Sequence, residues 1–291
     1  MLSAMATEHA ADPAGPADPV PADAVPADAV PVPGAPVPGA RVSRRILAWD
    51  VWVVLALSLG QSGVYAFVSF VAALTAPKSL ASQQAVLNGS AAPGRPWLDL
   101  TYQLLGVGFG LMPVVLTGYL LLRSGESLRT IGADGRRPGF DLVRGAALAA
   151  AVGGTGLAFY LVTHALGVDL TVVPEDLPNV WWRIPVLLLS AAQNAILEEV
   201  VVLGFVLHRL DQLGWGRNRA LVTSALVRGS YHLYQGVGGF AGNAVMGLLF
   251  GKLYQRWGRV GPLVVAHTLI DSVAFVGYAL LVGHVSWLPT P

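Results

Sequence analysis

Leu197-Glu198-Glu199-Val200-Val201-Val202-Leu203-Gly204 sets two adjacent carboxylates inside a stretch, Ile184 to Leu207, that otherwise carries no charge. A bilayer core is spanned by about 20 apolar helical residues, so a stretch of this length and character reads as a membrane crossing. Both carboxylates then lie near the apolar midplane. Each costs at least ~2.5–3.5 kcal/mol there unless a cavity or a partner compensates. Ionisable groups held at that cost usually carry function, so chemistry is expected at this pair.

The rest of the chain agrees with a membrane setting. Of 291 residues, 54% are hydrophobic and 12% charged, with a mean hydropathy of +0.59. Soluble domains carry about 25% charged residues. The expected fold is an all-α polytopic transmembrane bundle of about seven to eight helices. A net charge of +1 without a basic cluster gives no sign of nucleic acid. The absence of cysteine excludes thiolate chemistry, disulfides and Cys-ligated metals. No Lys/Arg-led apolar run starts at Met1, so no cleaved signal peptide is expected.

Residues 1–40 read as a disordered Pro/Ala-rich N-terminal tail. They hold nine of the 20 prolines, six of them within PADAV repeats (21–25, 26–30) and PVPGA repeats (31–35, 36–40). Such a segment has too little apolar side chain to bury. Residues 41–285 form the membrane domain, with crossings expected at 46–75, 98–122, 142–166, 184–208, 219–235, 240–256 and 260–282. The fifth and sixth are short and rich in Gly, Ser, Tyr and Asn, which suits buried or re-entrant segments. Arg41, Arg44 and Arg45 place the N-terminus in the cytoplasm by the positive-inside rule. Loops 76–97 and 167–183 then lie outside. The Arg-bearing loops 123–141, 209–218 and 252–259 lie inside. The chain is expected in the cell membrane.

Further ionisable groups fall inside crossings. His232 lies in Arg228-Gly229-Ser230-Tyr231-His232, and His267 and Asp271 lie in Ala266-His267-Thr268-Leu269-Ile270-Asp271. Residues four apart share a helix face, so His267 pairs with Asp271 and Arg228 with His232. At 1.5 Å per residue, Glu198 and His232 lie roughly 15–20 Å along their crossings, and His267 roughly 10–15 Å. One shared polar cavity accounts for this coincidence of depth.

A glutamate with two histidines in a dry pocket can activate water. The carboxylate takes the proton, and imidazoles hold the water or stabilise a developing oxyanion. Glu198, His232 and His267 could also hold a divalent metal such as zinc. Arg228 is the natural charge partner for Glu198 or Glu199, and Asp271 for orienting His267. Gln193, Asn194 and Asn243 read as helix–helix hydrogen bonds, Asp50 and Gln61 as structural. Pro113 and Pro185 interrupt crossings. Motifs of zincins, rhomboids, presenilin-type proteases, dinucleotide sites and P-loops are absent.

These residues resemble the CPBP intramembrane proteases, a family that includes type-II CAAX prenyl endopeptidases and bacteriocin-processing or immunity proteins. The family pattern runs E-E-x-x-x-R, then F-x-x-x-H, then H-x-x-x-N/D on successive membrane helices. Here Glu198-Glu199, His232, and His267 with Asp271 match in order, within a motif core of about 180–275. The motif-one arginine is Leu203, and the motif-two phenylalanine is Arg228. An arginine lost on one helix thus appears on its neighbour, where it can supply the charge to the Glu pair.

The resemblance implies an intramembrane endopeptidase of glutamate or metallo type, acting on a membrane peptide or protein within the lipid bilayer. Glu198 would activate water, and His232 and His267 would stabilise the oxyanion. Asp271 would support His267, and Glu199 would bind the arginine. The two departures keep a catalytically silent scaffold or immunity protein on the same fold as an alternative. A proton-coupled transporter is another, although no inverted repeat is evident.

Overall fold

The structure, a computed structural model, describes residues 42–285. The expected tail at 1–40 lies outside the described residues. The fold is all-α apart from one small sheet. Helices α1 (Arg44–Ala56) and α2 (Leu59–Thr75) meet at a 46° bend. Helices α3 (Pro96–Gly110) and α4 (Met112–Arg123) follow, then α5 (Pro138–Ala165). Helix α6 (Arg183–Glu198) passes into a π-helical segment, Glu199–Val206, and into α7 (Leu207–Gln212) without a break. Helices α8 (Arg217–Ser230), α9 (Val237–Trp257) and α10 (Gly261–Leu281) complete the chain. Pro113 sits in the first turn of α4, just after the α3–α4 break. Pro185 interrupts nothing: it lies in the first turn of α6, where its missing N–H has no helical partner to lose.

The apolar stretch around the Glu pair is hydrophobic on every side, which suits a helix buried all round. The continuous helix Arg183–Gln212 is 61% buried over its most apolar window, against 6–28% for the other three long apolar helices. It is therefore the centre of the bundle. Val200, Val201, Leu203 and Phe205 pack against Val54 of α1, Leu121 of α4, Phe250 of α9 and Leu263 of α10.

Four helices are long and apolar enough to span a membrane, or five if the bent α1–α2 pair is one span. Against seven expected crossings, α8 and α9 do not qualify among these. At 1.5 Å per residue the 14 residues of α8 reach only ~21 Å, short of a ~30 Å core. Hydrogen bonds nevertheless sort the connections to two ends. At one end Arg44 Nη2 donates to Leu213 O at 3.0 Å, Arg217 Nη2 to Gln255 O at 2.8 Å, and Arg259 Nη1 to Asp134 at 2.9 Å. At the other end Leu170 N donates to Gln235 O at 2.9 Å. Helix α8 and its following turn thus run from end to end, and α9 returns.

The two loops expected on one side hold strands the sequence reading lacked. β1 (Gln84–Gly89) pairs in parallel with β2 (Thr171–Asp176), with Gln84 opposite Thr171 and Asn88 opposite Glu175. Arg183, opening α6, grips the buried Glu175 through both carboxylate oxygens. The central helix is thereby tied to the sheet.

At the opposite end, Arg209 is not the loop charge expected of it. It is fully buried in α7 and donates to Glu126 at 2.6 Å, Ser124 Oγ at 2.8 Å and Leu120 O at 3.1 Å. Burial alone would push Glu126 up. Hydrogen bonds and charge from His208 and Arg209 outweigh it and hold the carboxyl below its ordinary value. A carboxyl depressed in the folded state adds stability above its unfolded value and loses it as pH falls through the folded one. The melting temperature in detergent should therefore fall on acidification through and below about pH 4.3, the ordinary glutamate value, and more steeply than in Glu126→Gln. Equal slopes would remove this network from the stability account.

Candidate active site

Three helices and one turn converge on the Glu pair. Glu198 closes α6 and Glu199 opens the π segment. Single π turns inside α-helices often mark functional sites, because widening the coil re-aims side chains and frees carbonyls. Two carbonyls of this segment are met from neighbouring helices: Ser224 Oγ donates to Val202 O at 3.2 Å and Tyr254 OH to Gly204 O at 3.4 Å.

Arg228 of α8 bridges both acids. Its Nη1 donates to Glu199 Oε1 at 2.7 Å, and its Nη2 lies 3.2 Å from Glu198 Oε2. Gly247 on α9 makes the room: a Cβ there would stand 3.1 Å from Arg228 Cδ and 3.0 Å from Ala225 Cα. The arginine standing at the motif-two phenylalanine thus reaches the carboxylates, while Leu203 packs into the apolar core. The ring of Phe250 lies 5.6 Å from the guanidinium.

His267 of α10 contacts the pair from the other side. Its Nδ1 is 2.8 Å from Glu199 Oε1. The same Nδ1 lies 3.2 Å from Arg228 Nη2, so it is flanked by an acceptor and by a donor. The Nε2 of His267 faces Asp271, 3.6 Å from Oδ1. The close partner that orients His267 is Glu199, with Asp271 at longer range.

His232 is placed differently from its expected helical position. Helix α8 ends at Ser230, and His232 lies in the turn before a short 3₁₀ segment, Leu233–Gln235. The turn is pinned from outside. Gly236 has φ +120° and lies so close to Asp169 that a Cβ would sit 2.4 Å from Oδ1. Asp169 Oδ1 accepts from Gly238 N at 2.7 Å, holding the start of α9. Within the turn, Gln235 Nε2 lies 3.4 Å from His232 Nδ1. An amide NH₂ only donates, which leaves the proton on Nε2. That Nε2 is buried, has no hydrogen-bond partner, and lies 3.7 Å from Glu198 Oε2.

One contributor was missed by the sequence reading. Tyr231, buried beside His232, donates its hydroxyl to Glu198 Oε2 at 2.9 Å. Its adjacency to His232 was the available signal. Oε2 is thus the pinned oxygen of Glu198, and Oε1 makes none of these contacts. Removing the hydroxyl in Tyr231→Phe should lower turnover by about tenfold, the scale of a hydrogen bond to a charged group, with the fold intact by circular dichroism. An unchanged rate would make the phenol a packing group alone.

Exposure grades the cluster. The side chains of Glu199 and Arg228 are 0% exposed, whereas those of Glu198, His232 and Asp271 are 10, 16 and 19% exposed. The deep pair is sealed, and the outer three meet open space. Among the residues expected only to bond between helices, Asn243 Nδ2 donates within its own helix, to Gly239 O at 3.1 Å. Asp50 pairs with Arg123 at the far end of the bundle, a structural role.

Residues 180–273 match the family model described as type II CAAX prenyl endopeptidase Rce1-like. This part of the chain is similar to that family. The match takes in Glu198, Glu199, Arg228, His232, His267 and Asp271, and covers about a third of the chain. Comparison with curated proteins and with solved structures gives no match. The helices outside the matched segment stand on their own geometry.

Among the described residues, the group whose ligand atoms lie within 4.8 Å of one another is Glu198, Glu199 and His267. His232, expected in that set, is not part of it. The three have donor types suited to zinc, but Arg228 already ion-pairs both carboxylates. A divalent cation would have to share them with a buried guanidinium.

Proposed function

We propose that the chain is an intramembrane endopeptidase in which Glu198 activates water against a peptide carbonyl. The observation that carries this reading is the gap between Glu198 and His232. Glu198 keeps Oε1 free of these contacts, and a buried, unpartnered N–H of His232 lies 3.7 Å from its pinned Oε2, too far for a direct bond, so that a water seated beside the two can be held by Oε1 and Nε2. Oε1 of Glu198 removes a proton as the water oxygen bonds to the carbonyl carbon. The oxyanion accepts from His232 Nε2–H, a donor already aimed and desolvated. The protonated Glu198 then gives its proton to the amide nitrogen as the C–N bond breaks. Glu199 and Arg228 are positioning residues: they hold His267 and the pinned oxygen of Glu198. The Rce1-like match supports a protease of the CAAX type.

The proposed step uses no metal: Arg228 already pairs both carboxylates where a divalent cation would otherwise bind. The same guanidinium against Glu198 also favours a second reading, a non-hydrolytic scaffold, since a cation weakens a base.

The test is cleavage of a membrane-peptide library by the purified full chain in detergent, read by mass spectrometry, with and without a chelator. New peptide termini at a rate unchanged by chelation are expected. Chelation that abolishes cleavage would overturn the metal-free mechanism. An intact library with a well-folded protein would favour the scaffold.

A further inference from the structure

The central helix carries two polar side chains that the site has not used. Ser190, Asn194 and Glu198 fall at every fourth position of α6. They form one line from the sheet end to Glu198, about 12 Å long at 1.5 Å per residue. The line runs on the packed side of the helix. Leu187, Ala191 and Ala195 beside it are fully buried, whereas Leu188 and Leu189, on the other flank, are exposed. Asn194, expected to bond to a neighbouring helix, bonds to none. Neither its amide nor Ser190 Oγ has a hydrogen-bond partner among the described residues, and neither is sealed off. Polar atoms on the packed side of a membrane helix, open and without a protein partner, need water or a polar ligand. The pairing of α6 with α10 shows what stands opposite. Glu199 meets His267, and Leu187 and Ala191 share an apolar cluster with Phe275. The two helices therefore run antiparallel, and Asp271 comes level with residues 194–195. Asn194 and the partly exposed Asp271 flank open space one turn outward of Glu198 and His267. Beyond Glu198 the helix closes: every residue from Glu199 to Val206 is buried.

We propose that Ser190 and Asn194 line the path by which water reaches Glu198 from the sheet end, and that Asn194 is a positioning residue that holds the incoming water beside the base. The inference rests on the hydrolytic reading above and adds its water supply. Hydrolysis within a bilayer needs such a supply, because the hydrocarbon core holds no water. A buried water takes about three hydrogen bonds. The Asn194 amide offers donors and an acceptor, Ser190 a hydroxyl and Asp271 a carboxylate, so successive waters find partners of both kinds along the line. The direction follows from the asymmetry about Glu198. On its outer side the helix face is polar and open, and on its inner side it is apolar and sealed. Arg183 ties the outer end of α6 to Glu175 of β2, which fixes the line against the sheet.

The chain has no cysteine, so single thiols can be placed in the full-length protein without background. The probe is a methanethiosulfonate bearing a sulfonate, which reacts with a thiolate and so only where water reaches the thiol. Its reaction with Ser190→Cys and Asn194→Cys in sealed vesicles should outpace that with the lipid-facing Leu189→Cys and the sealed Val201→Cys by about tenfold or more. In vesicles of one orientation, Asn194→Cys should react from the side that modifies the exposed Lys78→Cys, before β1, and not from the side that modifies the exposed Asp211→Cys, at the opposite end. In cleavage assays Asn194→Leu should lower kcat by about tenfold with KM unchanged, and Asn194→Ser should recover most of the loss. Equal labelling at 189 and 194, or reaction from the Asp211 side alone, would overturn the proposal. So would an Asn194→Leu variant that raises KM and keeps kcat, which would make the line a peptide-binding wall. Labelling at 190 and 194 in a chain that cleaves nothing would keep the water path and remove the hydrolytic reading.

Discussion

Arg228→Leu should destabilise the protein by about 3–5 kcal/mol, the cost of removing one partner of a buried ion pair. Arg228 and Glu199 are both without solvent exposure, and Glu199 Oε2 is already without a hydrogen-bond partner. Losing the guanidinium leaves a bare carboxylate in the most enclosed part of the bundle. Activity should fall with stability, as severely as on removing Glu198, because His267 and Glu198 both lean on the same cation. The diagnostic variant is the double replacement Arg228→Leu with Glu199→Leu. Taking away both charges removes the uncompensated one, so most of the lost stability should return without the activity. The check is melting of the four-member cycle in detergent. A single Arg228→Leu variant that melts like wild type would refute the charge-partner role.

Glu198→Gln should leave the fold in place and lower hydrolysis by about 10²–10⁴-fold, the usual contribution of a positioned base. Glutamine keeps an oxygen for Tyr231 and leaves the Arg228–Glu199 pair intact, so the stability change should be small beside that of Arg228→Leu. The contrast between the two variants separates chemistry from architecture: one loses rate and keeps its melting point, the other loses both.

Much of this site could be read before any coordinates. The acids, histidines and arginine betrayed themselves because ionisable groups are rare in apolar stretches, and their similar depth required one meeting point. The long apolar helices were legible for the same reason. The rest lacked a local signal. The π segment 199–206 is written in valine, leucine and phenylalanine, as an ordinary apolar helix would be, and its widened turn comes from packing. The strands at 84–89 and 171–176 lie in short connecting stretches, and only their mutual pairing makes them strands. The end of α8 at Ser230 is set by contacts from Asp169 and Leu170, some 60 positions upstream, which no window around His232 contains. Arg209 counted as a loop charge because its partners Ser124 and Glu126 come from a distant segment. Tyr231 was hidden by its ordinary role as an aromatic filler.

In the proposed function Glu198 directs water onto a peptide bond. Single-turnover cleavage of a membrane peptide in ¹⁸O-labelled water, followed by mass spectrometry of the new C-terminus, tests it most directly. The account predicts labelled oxygen in the new carboxyl group from the wild-type chain, and loss of that product in a Glu198→Gln variant whose melting temperature matches wild type. Labelled product at an undiminished rate from Glu198→Gln would contradict it.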